Sequence, residues 1–287
     1  MRLVERGARS SVPAPAPRWH ENRPVGPLGR LDAGELWAYR DLIRFLALRD
    51  FKLRYRQAAF GIAWAVLQPI AGAALFLAVF GHLAHVSSDG LPYATFAYIG
   101  FLGWTYVATS VGAASESLTA DTGLVTKVYF PRLVAPVAAC VPALADFGIA
   151  LTLLVPLMIV QGVSPTVTLL AFPLCVAGLV VIALGAGLWL AALNALYRDV
   201  RYTLGLLMQL WLFASPVGYP ASLVHGWWRW LYALNPVSGA LGALRWSLAG
   251  APWPGAEVAV SAGAALVLLA GAVVWFRRSE RLVADAI

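Results

Sequence analysis

FGIAWAVLQPIAGAALFLAVF, residues Phe60–Phe80, runs for a full membrane-crossing length without a single charged side chain. A helix needs about 20 apolar residues to cross the hydrocarbon of a bilayer, so this stretch is read as a first transmembrane span. Working outward, comparable runs occupy about Tyr93–Ala113, Leu133–Val160, Val167–Leu196, Tyr202–Val217 and Val258–Phe276. Bulk composition agrees, with 60% of the 287 residues apolar and 12% charged, where soluble domains carry roughly 25% charge. One water-soluble core could not hide that much apolar surface. The expected fold class is an all-α integral membrane protein with six transmembrane helices.

Orientation follows from the basic residues. Twelve of the 21 Lys and Arg precede position 57, Lys127 and Arg132 follow the second span, Arg198 and Arg201 the fourth, and Arg277, Arg278 and Arg281 the sixth. The loops 83–92 and 161–166 have none. Positive charge concentrates on cytoplasmic loops, so both termini are expected inside and only Arg229 and Arg245 outside. The net charge of +7 thus reflects topology and not nucleic-acid binding. Residues 1–34, rich in Arg, Pro and Ala, read as a disordered basic cytoplasmic tail, and no apolar signal-peptide core follows their first arginines. Residues 35–57 mix Leu36, Tyr39, Ile43, Leu46 and Phe51 with charges, as expected of an amphipathic helix along the cytoplasmic face. It serves either as an anchor or as a docking surface. The transmembrane domain is taken as 58–287.

Catalytic chemistry has little to work with. A phosphate-binding Walker loop needs glycines and a lysine, yet Lys52 and Lys127 are the only lysines and neither follows such a pattern. No GxSxG, HExxH or paired-carboxylate motif is present. Cys140 and Cys175 lie in apolar runs and read as core residues. His82 and His85 lack the further ligands of a metal site. The chain is therefore expected to be no enzyme and to hold no cofactor of its own. Asp146 is a lone carboxylate well inside the third span, where charge is costly and is met by a partner or a polar path. It could bind a substrate group, carry a proton, or pair with another residue to hold helices together.

Aromatic residues are the other feature. Trp104 and Tyr106 fall in the second span, Trp211, Phe213 and Tyr219 accompany the fifth, and Trp227, Trp228, Trp230, Tyr232, Trp246 and Trp253 crowd residues 220–254. Such rings form belts at membrane interfaces, and they also stack on the C–H faces of sugars. The 220–254 segment reads as two short helices, His225–Leu234 and Val237–Ala249, around the Asn235–Pro236 turn. Neither is long enough to span, which fits a re-entrant pair covered by protein.

Several blocks resemble a known family. Arg49-Asp50-Phe51-Lys52-Leu53-Arg54-Tyr55 with Leu67-Gln68-Pro69, then Leu124–Arg132, Leu196–Tyr202, Ser215–Pro220, Trp230–Pro236 and Phe276–Arg281 look like the ABC-2 type permeases that export O-antigen, capsule and teichoic acid. The resemblance implies a homodimer in the inner membrane that recruits two copies of a cytoplasmic ABC ATPase, on which ATP and Mg would be bound. It implies ATPase docking through Arg40, Arg44, Arg54, Arg56, Glu116, Lys127 and Arg132. It further implies a channel between the two copies, with Gln68, Trp104, Met208 and Trp211 beside it and Tyr219, Trp227, Trp230 and Asn235 at an outer gate. The cargo implied is a polyprenyl-linked polysaccharide, handled with membrane lipid at its anchor. A permease for a drug or small lipid, an embedded glycan polymerase or acyltransferase, and a passive channel or receptor are the competing readings. The scarcity of outward-facing acid–base residues argues against an enzyme.

Overall fold

The computed structural model describes residues 33–56, 63–120, 130–197 and 199–286, which are helical with no strand among them. Lys127, Arg198 and residues 1–32 of the basic tail lie outside that set. The amphipathic stretch forms two helices, α1 (Ala33–Ala38) and α2 (Arg40–Arg56), separated at Tyr39. The first span is α3 (Ala63–Phe76), continued in wider π-helical winding over Leu77–Leu83. Then come α4 (Tyr93–Ala120), α5 (Val134–Val160) and α6 (Phe172–Leu196), the last entered through a 3₁₀ turn at Val167–Ala171. After α7 (Asp199–Phe213) come the short α8 (Trp228–Ala233), α9 (Pro236–Ala249) and α10 (Glu257–Ala286).

Among the described residues, four helical stretches are both long and apolar enough to cross a membrane: Ala63–Leu83, Val134–Val160, Val167–Leu196 and Glu257–Ser279. The other two predicted spans differ from these for separate reasons. α4 has the length but carries Thr95, Thr105, Thr109, Ser110 and Ser115. It sits at the centre, against α3, α5, α6 and α9, where some of its polar groups find partners: the Tyr98 hydroxyl donates to the Ala150 carbonyl at 2.7 Å, and Asn194 of α6 donates to the Ser115 carbonyl at 2.9 Å, while the Thr95 hydroxyl is buried without a partner among the described residues. α7 is 15 residues long, about 22 Å at helical rise, and stops at Phe213, short of the predicted Val217. None of its residues is buried in the single chain.

Small residues set the helix spacing, as expected where lipid removes most of the hydrophobic drive for helix association. A Cβ built on Gly187 of α6 would stand only 2.7 Å from the Ala114 Cβ of α4. The main core therefore combines Ala97, Ile99, Leu102 and Val107 of α4 with Leu179, Ile182 and Ala183 of α6 and Leu241 and Leu244 of α9.

α2 runs alongside α5 in the same direction. Leu46 packs with Val134 and Ala138, and eight residues further along each helix Arg54 meets Asp146. The C-terminal end of α2 thus reaches Asp146, twelve residues into α5 and about 18 Å along that axis. Leu42, Ile43 and Leu46 face α5, whereas Phe45 and Leu48 are exposed on the other side.

Candidate functional site

The polar side chains gather in two regions of the bundle, one midway along α5 and one around the turn between α8 and α9. In the first, Asp146 accepts from both the Arg54 guanidinium and the Tyr55 hydroxyl. The pair is part-buried, with side-chain exposure of 30% for Arg54 and 17% for Asp146. Burial, and then the hydrogen bond and charge of Asp146, push the Tyr55 hydroxyl up to about 12, so it stays protonated and keeps donating at neutral pH. Of the readings open for Asp146, pairing between helices is the one this geometry realises. Removing one partner of such a pair strands the other charge, at a cost of about 3–5 kcal/mol where burial is complete and less here.

Beside this pair is a cavity of about 460 Å³ lined by Trp64 and Gln68 of α3, Thr105 and Thr109 of α4, and Phe147 of α5. Gln68 thus opens onto the same space as Asp146. The other basic residues of α2 point elsewhere. Arg40 lies over the Trp37 ring and donates to its carbonyl at 3.3 Å. Arg44 is 3.9 Å from Asp41 on an exposed face, and Arg56 is exposed. Glu116, near the end of α4, pairs with Arg201 of α7 at 3.3 Å. Arg132 is half-buried just before α5. Lys127 lies outside the described residues.

In the second region, Asn235 is the organising residue. Its side-chain oxygen accepts from the Val237 N–H at 3.1 Å, capping α9, and from the Trp211 indole at 3.0 Å. Its amide nitrogen donates to the Ala214 carbonyl and the Ser215 hydroxyl. Asn at this position followed by Pro236 is a strong helix start, and Gly250 closes α9 with φ +67°, the left-handed stop glycine favours. Trp211 also meets Trp104 edge to face, ring centroids 5.9 Å apart, and Met208 packs one turn below it against the main core. Tyr219 donates to the Phe213 carbonyl and receives the Tyr232 hydroxyl at 3.1 Å. Trp104, Met208, Trp211, Tyr219 and Asn235 thus form one connected region. Trp227 stacks on Trp228 and is exposed, and Trp230 lies under the Arg229 guanidinium.

Sequence reasoning missed Arg245. It is 4% exposed and donates to the carbonyls of Phe96, Pro216 and Val217 at 3.2, 2.8 and 2.6 Å. It thereby ties α9 to α4 and to the turn after α7. The only visible signal was a charge in the middle of an apolar helix.

No motif for hydrolysing ATP is found in the sequence. Comparison with known proteins agrees. The ABC-2 type transporter family matches residues 41–249. The O-antigen export system permease protein RfbA of Myxococcus xanthus is 32% identical over 191 residues, which is 67% of this chain and 73% of that protein. A Klebsiella pneumoniae protein of the same name is 24% identical over 199 residues, 69% of this chain and 76% of its own length. The chain is a transport subunit and not an enzyme, and it belongs to the ABC-2 type transporter family.

Proposed function

We propose that this chain is the membrane subunit of an exporter that moves lipid-linked polysaccharide across the bacterial inner membrane, driven by a separate ABC ATPase. The observation that carries this reading is the uncovered face of α7. Tyr202, Leu206, Leu210 and Phe213 are exposed along it, as are Trp64, Leu67 and Ile70 of α3. Two copies joined across these faces would enclose a path bordered by Trp211, Met208 and Gln68. The aromatic groups at its outer end suit a cargo of repeating sugars, because a flat ring stacks on many sugar faces without selecting one. The names of the relatives support O-antigen-like polymer over a drug or small lipid.

In this reading there are six spans. α4 crosses shielded by its neighbours, and α7 crosses with help from the turn that follows it and from the partner copy. Both termini are cytoplasmic, residues 1–34 form a tail, 35–57 form the ATPase-facing segment, and 58–287 form the transmembrane domain. Two ATPase subunits, carrying ATP and Mg, dock on Arg40, Arg44 and Arg56 of α2 and on the Glu116–Arg132 region with Lys127. Arg54 contributes from within, through Asp146. α8, α9 and the Asn235 turn form the outer gate, with Tyr219, Trp227 and Trp230 on it.

Purification from native membranes in mild detergent tests the assembly. The expected particle holds two copies of this chain and two of an ATPase, and charge reversal at Arg40 and Arg44 together releases the ATPase. A monomer that exports polymer without any ATPase would contradict the reading.

A further inference from the structure

We propose that each copy of this chain carries its own saccharide-binding pocket, at the junction of α8, α9 and the start of α10. The pocket holds a sugar unit of the glycan after it has left the path between the copies. The inference rests on the proposed function for its ligand and its outward face. The pocket itself is built within one chain, whereas the path needs two.

The pocket has a volume of about 470 Å³, within the range of small-molecule sites. Its polar groups come from separate segments. Asp89 stands in the loop before α4 with φ +52°, and its carboxylate accepts from the Ser222 hydroxyl at 2.7 Å. Glu257 opens α10, and its carboxylate meets the Arg229 guanidinium of α8 at 3.4 Å. Gly255, at φ +85°, makes room for that carboxylate, since a Cβ there would stand 2.7 Å from Oε2. Arg245 closes the buried side; with its N–H groups given to three carbonyls, it shapes the pocket without anchoring a ligand. Trp253 borders the pocket with about half its surface exposed, its ring meeting Trp246 edge to face at 4.7 Å.

These groups select a class of ligand. The carboxylates of Asp89 and Glu257 offset the guanidinium groups of Arg229 and Arg245, so a phosphate or polyanion finds no net positive charge. Among the described residues no group of three His, Cys, Asp or Glu is placed to hold a metal ion. Ionised carboxylates only accept hydrogen bonds, and charge strengthens the bonds they receive from hydroxyl donors. A sugar presents hydroxyls at its rim and C–H groups on its faces, for which the exposed indole of Trp253 is the matching surface. Tyr232 links this pocket to the proposed path. It lines the pocket and also the groove shared by Trp211, Trp228 and Asn235, so a glycan passing over α8 moves from one to the other.

The experiment uses the full complex with its ATPase in lipid nanodiscs. The probe is the cell's own surface polysaccharide, freed of its lipid by mild acid. Both native cysteines are buried, so Ala221→Cys on the pocket wall supplies the thiol to be labelled. The probe should slow maleimide labelling of A221C severalfold. Glu257→Gln should weaken binding of the probe about tenfold, the size of one lost hydrogen bond to a charged group, and Trp253→Ala at least as much. The labelling is read on a chain with both of these residues intact, so it decides the matter even where a variant folds poorly. Equal labelling rates with and without the probe would overturn the proposal, as would both variants binding as tightly as wild type. Surface polymer after depletion tests the cargo assignment separately. Polymer lost on depletion, with A221C unprotected, would sink the pocket alone; normal surface polymer with a protected thiol would sink the assignment alone.

Discussion

The Arg245 guanidinium lies over the face of the Phe96 ring, 3.6 Å from its centroid, while its N–H groups are shared among three backbone carbonyls, one of them that of Phe96 itself. Cation, ring and carbonyls together hold α9 on α4. An arginine satisfies such a site because its planar fork reaches several acceptors at once.

Arg245→Met should therefore leave these carbonyls short of donors and destabilise the protein by about 1–3 kcal/mol for each buried acceptor left unsatisfied. Arg245→Lys should recover only part of that loss, since one ammonium cannot reproduce the fork. Thermal unfolding in detergent is the measurement. Equal stability of the Met variant and the wild type would show that Arg245 is incidental.

Gly100 makes the arginine site possible. A Cβ there would collide with the Val217 carbonyl and the Arg245 guanidinium, whereas one on Gly112 of the same helix would meet nothing within 4 Å. Gly→Ala within a helix ordinarily gains about 0.5–1 kcal/mol. Gly112→Ala should be neutral or slightly stabilising and Gly100→Ala clearly destabilising. The two unfolding midpoints, compared side by side, decide it.

Asn235 should matter more than Trp211. Asn235→Ala removes the cap of α9, worth about 0.5–2 kcal/mol, and also the acceptor for the Trp211 indole. Trp211→Phe removes only the indole donor. Export rate and thermal stability should both fall further in N235A than in W211F, and the reverse order would place the organising role on the tryptophan.

Tyr55 carries a pH prediction. Its folded-state value is raised above the ordinary 10.0 to about 12, so folding favours its protonated form. The associated stability is fully present below about pH 10 and is lost as pH climbs toward 12. The tyrosinate absorbance of wild type minus that of Tyr55→Phe should titrate with a midpoint near 12. A midpoint near 10 would mean that the hydroxyl is neither buried nor held by Asp146.

Much of the helix pattern was legible in the sequence because span length and apolar content are set by the bilayer, which acts on each helix separately. The short helix Val237–Ala249 after the Asn235–Pro236 turn was legible because turn chemistry is local. What escaped was chosen by partners far along the chain. Arg245 reads as a stray outer charge until the carbonyls of Phe96, Pro216 and Val217 are beside it, and carbonyls have no sequence signature. Arg54 reads as one more docking arginine until Asp146, 92 residues away, turns it inward. The break at Tyr39 and the run of α2 along α5 likewise depend on what α5 offers, not on α2 alone.

Depleting this chain in its native cell and locating the polysaccharide tests the central claim most directly. The account predicts full-length, lipid-linked polymer accumulating on the cytoplasmic side and disappearing from the surface. Normal surface polymer, or short unpolymerised glycan in its place, would contradict it.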